Sequence, residues 1–324
     1  MMAWTLRRLT CVLAFASIAL SATASEAPSA CDHGVAWQVL GSGGPELNQR
    51  AQSGHVLWID GKARAVFDTG AGTAVAFGKA RGRIEDLDLI ALSHLHTDHS
   101  ADLPAYVKAS FFGERRRDLP ILGPPGNNVF PSLEAWLAAL FTGEHAAYPY
   151  LAGFLQPEGA AYRLRPATLQ LSDGDIATVF TGPNFSVRAT PVKHGPIPAL
   201  AWRIDVQGRS VVYLGDTDAQ APALLELAQG ADLLIANLAI SEHSNDSVAS
   251  RLHAPPSRIA SLAQRAGTRR LLLSHLMQRS EQALPESLRI IRAIYSGPVE
   301  VAQDGLCLPL PLRNNATHTK KGPA

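Results

Sequence analysis

Four metal-binding side chains lie within six consecutive positions, in the segment Ser93-His94-Leu95-His96-Thr97-Asp98-His99. On an extended chain, the two histidines of His94-x-His96 point to the same side. Asp98 and His99 then begin a turn, from which they can face a second metal ion. Neutral imidazole and carboxylate groups suit Zn²⁺, although Mn²⁺ and iron accept the same ligands. Three histidines and an aspartate at this spacing therefore predict a metal site.

Three more potential ligands occur farther along the chain: His194, Asp216 and His275. Each comes directly after an apolar stretch that is predicted to be a strand. Ligand sites in α/β proteins form at the rim where such strands end. We therefore expect these three side chains to join the first group and to complete the sites of two metal ions.

The composition of the chain indicates what kind of domain holds these ligands. The chain has 324 residues, of which 46% are hydrophobic and 18% charged, as in compact globular proteins. A formal net charge of +1 is too balanced to predict nucleic-acid binding from the overall field. Three cysteines are too few for a disulfide scaffold or a cysteine-based zinc module.

Short apolar runs alternate with helical stretches along the chain. A helix is predicted to begin at Pro255 and Pro256 and to end at Gly267. Residues 111–156 follow this alternation of apolar runs and helical stretches least closely. We expect them to form an excursion, that is, a loop and a helix that lie over one face of a sheet. No linker or repeat divides the sequence, so we predict one mixed α/β domain over residues 25–324. The predicted strands are residues 35–40, 55–59, 65–67, 87–92, 186–192, 210–214, 233–236 and 270–273.

The N-terminal residues have the pattern of a secretory signal. Arg7 and Arg8 precede an apolar run over residues 9–20, and Ala22-Thr23-Ala24 is a small-x-small cleavage motif. The run is short for a membrane span. We therefore predict a signal peptide over residues 1–24, cleaved after Ala24, and a soluble periplasmic or secreted protein with no membrane span after cleavage.

Export affects how the cysteines of the mature chain are interpreted. Cys31 and Cys307 lie near its two ends. An oxidising compartment allows them to pair and to tie the termini together. Two free buried thiols are the other interpretation, and the sequence leaves both open.

The order and spacing of the ligands resemble the metallo-β-lactamase fold superfamily. Within it, the sequence is most similar to the ribonuclease Z-like branch, which also includes exported arylsulfatases and cyclic-nucleotide phosphodiesterases. The resemblance covers about residues 35–305 and implies a four-layer αββα sandwich with mixed sheets. It rests on the seven ligands above and on Leu40-Gly41-Ser42-Gly43-Gly44, Phe67-Asp68-Thr69-Gly70, Gly123-Pro124-Pro125-Gly126 and His253.

This resemblance also implies a role for each site residue. The first zinc ion would be held by His94, His96 and His194, and the second by Asp98, His99 and His275, with Asp216 bridging the two. The two ions would share a water whose pKa falls toward ~7, and the resulting hydroxide would attack the substrate. Asp98 would accept a hydrogen bond from this hydroxide. His253 would donate a proton to the leaving group, and Asp68 would orient a ligand histidine.

The expected substrate depends on two departures from the ribonuclease Z pattern. Enzymes of that branch that mature tRNA carry a long basic arm between the residues equivalent to His194 and Asp216, whereas this chain has room for one hairpin. Their usual glutamate partner of the extra histidine is replaced in the segment Leu234-Ile235-Ala236-Asn237. We therefore expect a small phosphodiester or sulfate ester as substrate, rather than tRNA, and no nucleic-acid partner.

Other interpretations stay open at this stage. A lactonase, a thioester hydrolase or a β-lactam hydrolase could use the same site. A zinc-stabilised binding protein without catalysis is disfavoured, because no ligand is missing. The sequence does not identify substrate-binding residues or decide whether the chain forms a homodimer.

Several side chains could either contact the substrate or have a structural role, and five histidines have no predicted role in the site. Arg115, Arg116, Arg117 and Lys193 could hold an anionic substrate, or the arginines could lie in a solvated loop. Phe141, Tyr148, Tyr150 and Phe154 could line an aryl pocket or pack the excursion. Surface or packing positions are expected for His33, His55, His145, His243 and His318.

Overall fold

Two seven-stranded sheets form the centre of the molecule in the computed structural model, which describes residues 31–156 and 159–312. The predicted signal peptide and His318 lie outside these residues. In the described part of the chain, no helix is long and apolar enough to cross a membrane. The division into a signal peptide and one domain over residues 25–324 stays a prediction.

The first sheet contains β1–β6 and the last strand of the chain, in the order β14-β1-β2-β3-β4-β5-β6. Strands β3 to β6 are parallel to one another, whereas β14, β1, β2 and β3 pair antiparallel. Its strands are β1 (Val35–Gly41), β2 (Gly54–Ile59), β3 (Lys62–Phe67), β4 (Leu89–Ala91), β5 (Leu119–Gly123), β6 (Leu164–Thr168) and β14 (Cys307–Pro309).

The second sheet has the order β13-β12-β11-β10-β9-β8-β7. Strands β10 to β13 are parallel, and β7 to β10 pair antiparallel. Its strands are β7 (Ala177–Thr181), β8 (Phe185–His194), β9 (Ile197–Val206), β10 (Arg209–Tyr213), β11 (Leu233–Asn237), β12 (Leu271–Ser274) and β13 (Val299–Val301).

Helices connect the parallel strands and cover the outer faces of both sheets. Three short 3₁₀ segments lie at Ile84–Asp86, Ser110–Phe112 and Pro149–Phe154. The α-helices are α1 (Thr73–Lys79), α2 (Thr97–Ser100), α3 (Leu103–Ala109), α4 (Leu133–Phe141), α5 (Ala223–Ala228), α6 (Ala249–Leu252), α7 (Pro256–Arg265), α8 (Gln278–Gln282) and α9 (Leu284–Ile294).

Three apolar layers hold these elements together. Between the sheets, Trp37 and Phe67 of the first sheet share a buried cluster with Trp202 of the second. A second cluster lies between the first sheet and helices α1, α3 and α4, and a third between the second sheet and α5, α7 and α9. Helix, sheet, sheet and helix thus form four layers, which confirms the predicted αββα sandwich with mixed sheets.

The predicted excursion over residues 111–156 is correct only in part. It contains the expected helix, α4, whose Leu137 and Phe141 are buried against the first sheet. Residues 119–123, however, form β5 in the middle of the parallel strands. This strand contains Pro120 and follows three arginines, so its short apolar pattern was easily mistaken for a loop.

A disulfide joins Cys31 to Cys307, with their Cα atoms 6.0 Å apart. The two residues are separated by 276 positions, and Cys307 begins β14, which pairs with β1. Of the two interpretations that the sequence left open, the structure therefore supports pairing. The bond closes a loop that contains almost the whole described chain.

Removing this bond should destabilise the protein, because the unfolded chain regains the entropy of an open loop. For the variant Cys31→Ser/Cys307→Ser, we expect the free energy of unfolding to fall by about 2–5 kcal/mol in urea titrations. A phosphine reductant should destabilise the unaltered protein and leave the double variant unchanged. Equal stability of the two proteins would contradict a stabilising disulfide.

His55 lies inside the core, on β2. Its ring stacks near Trp37 at 5.6 Å between centroids and meets the edge of Tyr213 at 4.9 Å. Neither ring nitrogen has a hydrogen-bond partner among the described residues. Burial lowers the pKa of His55 to about 3, so this histidine is neutral and acts as a packing residue.

This burial makes stability depend on pH. Between the ordinary pKa of 6.5 and the folded pKa of about 3, the unfolded chain binds a proton that folded His55 does not. Stability is therefore lost as the pH falls below about 6.5. Relative to pH 7.5, His55→Phe should avoid about 2 kcal/mol of the loss at pH 5, measured by urea unfolding at both values. Parallel pH curves for the variant and the unaltered protein would refute this assignment.

Candidate metal centre

The seven predicted ligands meet at one end of the two sheets. His94 and His96 follow β4, and the short helix α2 carries Asp98 and His99. His194 is the last residue of β8, while Asp216 and His275 follow the parallel strands β10 and β12. All are buried except His96, which is half-buried. The rim of strand ends predicted from the sequence thus brings the whole set together.

Asp216 is at the centre of this cluster. Its Oδ2 atom lies 3.5 Å from Nε2 of His275, 3.6 Å from Nε2 of both His99 and His194, and 3.9 Å from Nε2 of His94. An oxygen in this position faces the histidines of both predicted metal sites. The arrangement agrees with the bridging role that the resemblance implies for Asp216, which stays a prediction.

The donor atoms form compact groups that can hold cations. Within each group, the ligand atoms lie within 4.8 Å of one another. Nε2 of His99 and Nε2 of His194 are buried and have no hydrogen-bond partner in the described chain. Buried polar atoms without partners are unfavourable, and metal ions would satisfy them. The groups are His94, His96 and His194; Asp98, His99 and His275; His94, His99 and Asp216; and His194, Asp216 and His253.

Burial and mutual charge set the protonation of the cluster. Burial lowers the pKa of His94 well below its ordinary value, which favours the neutral imidazole that binds metals. Burial alone would raise the pKa of Asp216, but the imidazoles of His275, His253 and His99 hold it well below the ordinary value. Asp216 is therefore ionised and His94 neutral at neutral pH. These are the forms that metal coordination requires.

Asp68 is hydrogen-bonded to Ser93 and lies next to His99, and its predicted role in orienting a ligand stays a prediction. Its carboxylate accepts hydrogen bonds from the backbone N–H of Ser93 at 2.6 Å and from the Ser93 hydroxyl at 2.7 Å. Its Oδ2 atom also lies 2.7 Å from Nδ1 of His99, which leaves Nε2 of that ring to face the cluster. The backbone of Asp68 has φ 61°, in the left-handed region.

Tyr213 and Asn237 support the site and were missed as supporting residues in the sequence. The Tyr213 hydroxyl lies 2.7 Å from Oδ2 of Asp68. Nδ2 of Asn237 donates to Oδ1 of Asp216 at 2.7 Å, which leaves Oδ2 directed at the imidazoles. Both residues end neighbouring parallel strands, β10 and β11. That position at strand ends is the sequence signal that could have identified them.

His253 lies beside the predicted ligands, and its catalytic role stays a prediction. It follows α6, and its ring lies 5.3 Å from that of His194 and 5.7 Å from that of His275. Its Nδ1 atom is 3.9 Å from Oδ2 of Asp216 and has no hydrogen-bond partner among the described residues. The backbone carbonyl of Leu252, just before it, accepts a hydrogen bond from Nδ1 of His194 at 2.9 Å.

The arginine run has structural roles. The Arg115 guanidinium is buried and donates to the backbone carbonyls of Ile84, Leu87 and Asp118. Arg117 is paired with Asp88. The solvated-loop interpretation is therefore wrong for Arg115, because its charge is satisfied by carbonyl groups inside the fold.

The other side chains considered for substrate contact are either packed in the core or exposed on the surface. Phe141 and Phe154 belong to the buried cluster beneath the first sheet, which is the packing interpretation. Tyr150 is exposed and lies near Lys108, whose Nζ atom is 5.3 Å from the ring centroid. The Lys193 side chain is exposed. A different aromatic residue, Phe130, contacts the cluster through His96.

Comparisons with known proteins match most of the chain. The model of the Beta-lactamase superfamily domain matches residues 63–276. Ribonuclease Z of Methanosarcina acetivorans is 26% identical over 306 residues, which cover 85% of this chain and 97% of that protein. Ribonuclease Z of Ignicoccus hospitalis is 28% identical over 290 residues, 80% of this chain and 94% of that protein.

Solved structures show the same fold. Human tRNase Z, short form, has a TM-score of 0.65 at 21% identity, covering 86% of this chain and 100% of that one. YhfI of Bacillus subtilis, a metallo-beta-lactamase fold protein, has a TM-score of 0.64 at 23% identity, covering 84% of this chain and 98% of that one.

These comparisons correct the expectation about the substrate. The sequence argument excluded tRNA maturation and nucleic-acid partners, and both exclusions are wrong, since relatives named ribonuclease Z match over nearly their whole length. A small ester as the substrate is contradicted by the same relatives. One missing insertion and one replaced side chain are weaker evidence than similarity along most of both chains.

Removing the side-chain support of Asp216 should weaken metal binding. Asn237→Leu keeps a similar volume but loses the donor that orients the carboxylate. We expect the dissociation constant for the bound metal to rise about 10–100-fold, measured by competition with a chelator of known affinity. Asn184→Leu, at the opposite end of β8 from His194, is the matched control. An unchanged affinity for Asn237→Leu would show that Asp216 needs no such donor.

Proposed function

The chain belongs to the metallo-β-lactamase superfamily, in its ribonuclease Z-like branch, and on that premise we propose that it hydrolyses phosphodiester bonds in RNA. The observation that carries the proposal is the convergence of five histidines, His253 and four of the predicted ligands, on one buried carboxylate, that of Asp216. Membership of the superfamily supports a metal-dependent hydrolase. The choice of RNA follows from the names of the relatives.

We propose zinc as the metal, with two ions per chain. Residues His94, His96 and His194 would surround one ion, and Asp98, His99 and His275 the other, with Asp216 between them. Imidazole-rich sites with carboxylates favour zinc over magnesium or calcium. When bound, such a pair of ions supplies Lewis acidity for both the attacking water and the phosphate.

The surrounding side chains would orient and assist the reactants. Oδ2 of Asp98 lies 3.1 Å from Nε2 of His275, so its carboxylate is directed into the cluster, where it would accept a proton from the attacking water. His253 lies beside Asp216, with Nδ1 at 3.9 Å from Oδ2, and its ring would face the leaving oxygen.

Neutral His253 suits this second role. Burial lowers the pKa of His253 to about 4, so the imidazole is neutral at pH 7. A neutral ring has one N–H, which would donate a hydrogen bond to the charge that develops on the leaving oxygen. The metal ligands would thus activate water while His253 stabilises the departing group.

The test is metal-dependent cleavage of RNA by the whole protein. We expect a 3′-extended tRNA or a structured RNA oligonucleotide to be cut, with activity lost on chelation and restored by Zn²⁺. His253→Leu should lower kcat by about 10²–10³-fold at unchanged metal content, as loss of a hydrogen-bond donor to the developing charge does. Asp216→Ala should lose both metal and activity, whereas Asn184→Leu should retain both.

Two results would overturn the proposal. One is turnover of an aryl sulfate or a lactone with no cleavage of any RNA. The other is RNA cleavage that survives both chelation and Asp216→Ala, which would indicate a contaminating nuclease. Metal analysis by mass spectrometry would show separately whether the chain holds two zinc ions.

Localisation stays a prediction from the sequence. The Cys31–Cys307 disulfide supports the expectation of a periplasmic or secreted protein, because structural disulfides are rare in reducing compartments.

A further inference from the structure

A loop over residues 124–132, between β5 and α4, lies beside the least buried metal ligand. We call it the 124–132 loop. The ring centroid of Phe130 lies 6.4 Å from that of His96, with the planes at 71°. His96 is half-buried while the other six ligands are buried, so the cluster opens to solvent on this side. Phe130 is itself half-buried, and Val129 is 77% exposed. An apolar surface thus stands at the mouth of the site.

Asn127 holds this surface in place. Its Oδ1 atom accepts hydrogen bonds from the backbone N–H groups of Val129 at 2.9 Å and Phe130 at 2.8 Å. Its Nδ2 atom donates to the carbonyl of Pro196 at 2.9 Å, in the turn that follows the metal ligand His194. One side chain therefore connects the 124–132 loop to the hairpin that carries a ligand. The position of Phe130 relative to the metal centre is fixed by this connection.

The fold alone does not require an aromatic ring at this position. Residues 127–129 are exposed. Leu133, the first buried residue after the loop, already packs in the apolar cluster between the first sheet and its helices. Phe130 contacts His96 instead of joining that cluster. A partly exposed ring and an exposed valine at the mouth of a phosphodiesterase site are the groups that would meet the base next to the bound phosphate.

We propose that Phe130 stacks on a nucleobase flanking the scissile phosphate, and that Asn127 is the positioning residue that holds it there. This inference rests on the proposed function, because it requires an RNA substrate. Aromatic rings bind single-stranded bases through their faces with little sequence preference. Such a contact needs no positive charge, and the formal net charge of the chain is only +1.

The test separates the ring from the rest of the site by a double-mutant cycle. RNA with an abasic nucleotide on either side of the cleavage point is compared with intact RNA, in the unaltered protein and in Phe130→Ala. We expect Phe130→Ala to raise KM about tenfold with intact RNA, and kcat to change little. With the abasic RNA, the same substitution should have little effect. Metal content should stay at the level of the unaltered protein.

Three further variants make the result specific. Phe130→Trp should restore KM, and its added fluorescence should be quenched by uncleavable RNA, measured against the unaltered protein. Asn127→Asp keeps the acceptor for the loop backbone but loses the donor to Pro196, and should raise KM several-fold with kcat unchanged. Phe112→Ala removes a ring that is 86% exposed on the 3₁₀ segment Ser110–Phe112, and should change nothing.

The outcomes distinguish this inference from the proposed function. If the unaltered protein cleaves RNA and Phe130→Ala lowers activity equally on intact and abasic RNA, base stacking is wrong and the proposed function stands. A fall in kcat or in metal content, with KM unchanged, would also overturn stacking. If the unaltered protein cleaves no RNA, the proposed function and this inference both fail.

Discussion

The placement of one buried carboxylate governs this structure. Oδ2 of Asp216 lies within 3.9 Å of nitrogens from five histidines, and the whole group is shielded from water. Imidazoles packed so closely repel one another when protonated, and their nitrogens lack partners when neutral. Cations relieve both problems, since they attract the carboxylate and accept the lone pairs. The cluster is therefore favourable as a metal centre and costly as a plain part of the core.

Side-chain hydrogen bonds join the two sheets at the end where the predicted ligands lie. Asp68 follows β3 of the first sheet, and Tyr213 ends β10 of the second, and their side chains lie 2.7 Å apart across the interface. The same carboxylate orients His99, while Asn237 on the neighbouring strand β11 orients Asp216. Hydrogen bonds of Asp68 thus join the two sheets and also orient a predicted ligand, and the supporting residues come from both halves of the chain.

The side chains around the opening of the site determine which substrate binds. The substrate is also the point on which the expectation from the sequence was wrong. The absence of a long arm between His194 and Asp216 suggested that RNA was excluded, yet the chain matches ribonuclease Z relatives over most of its length. An inserted arm is one way to hold RNA. Under the proposed function, loops such as residues 124–132, which lie beside the predicted ligands, would provide contacts of another kind. Their chemistry depends on which side chains face the opening, and a one-dimensional pattern does not show that.

The sequence by itself determined the fold class and predicted the ligands, because metal-binding residues at strand ends and the apolar alternation are local patterns. The family resemblance also predicted Asp68 and His253 as site residues. The tertiary structure alone decided three things: that Cys31 and Cys307 pair, that Asn237 supports Asp216, and that Phe130 reaches His96. Each of these is a contact between residues far apart in sequence or on different elements. The packing of the layers determines such contacts, and no local pattern of residues encodes them.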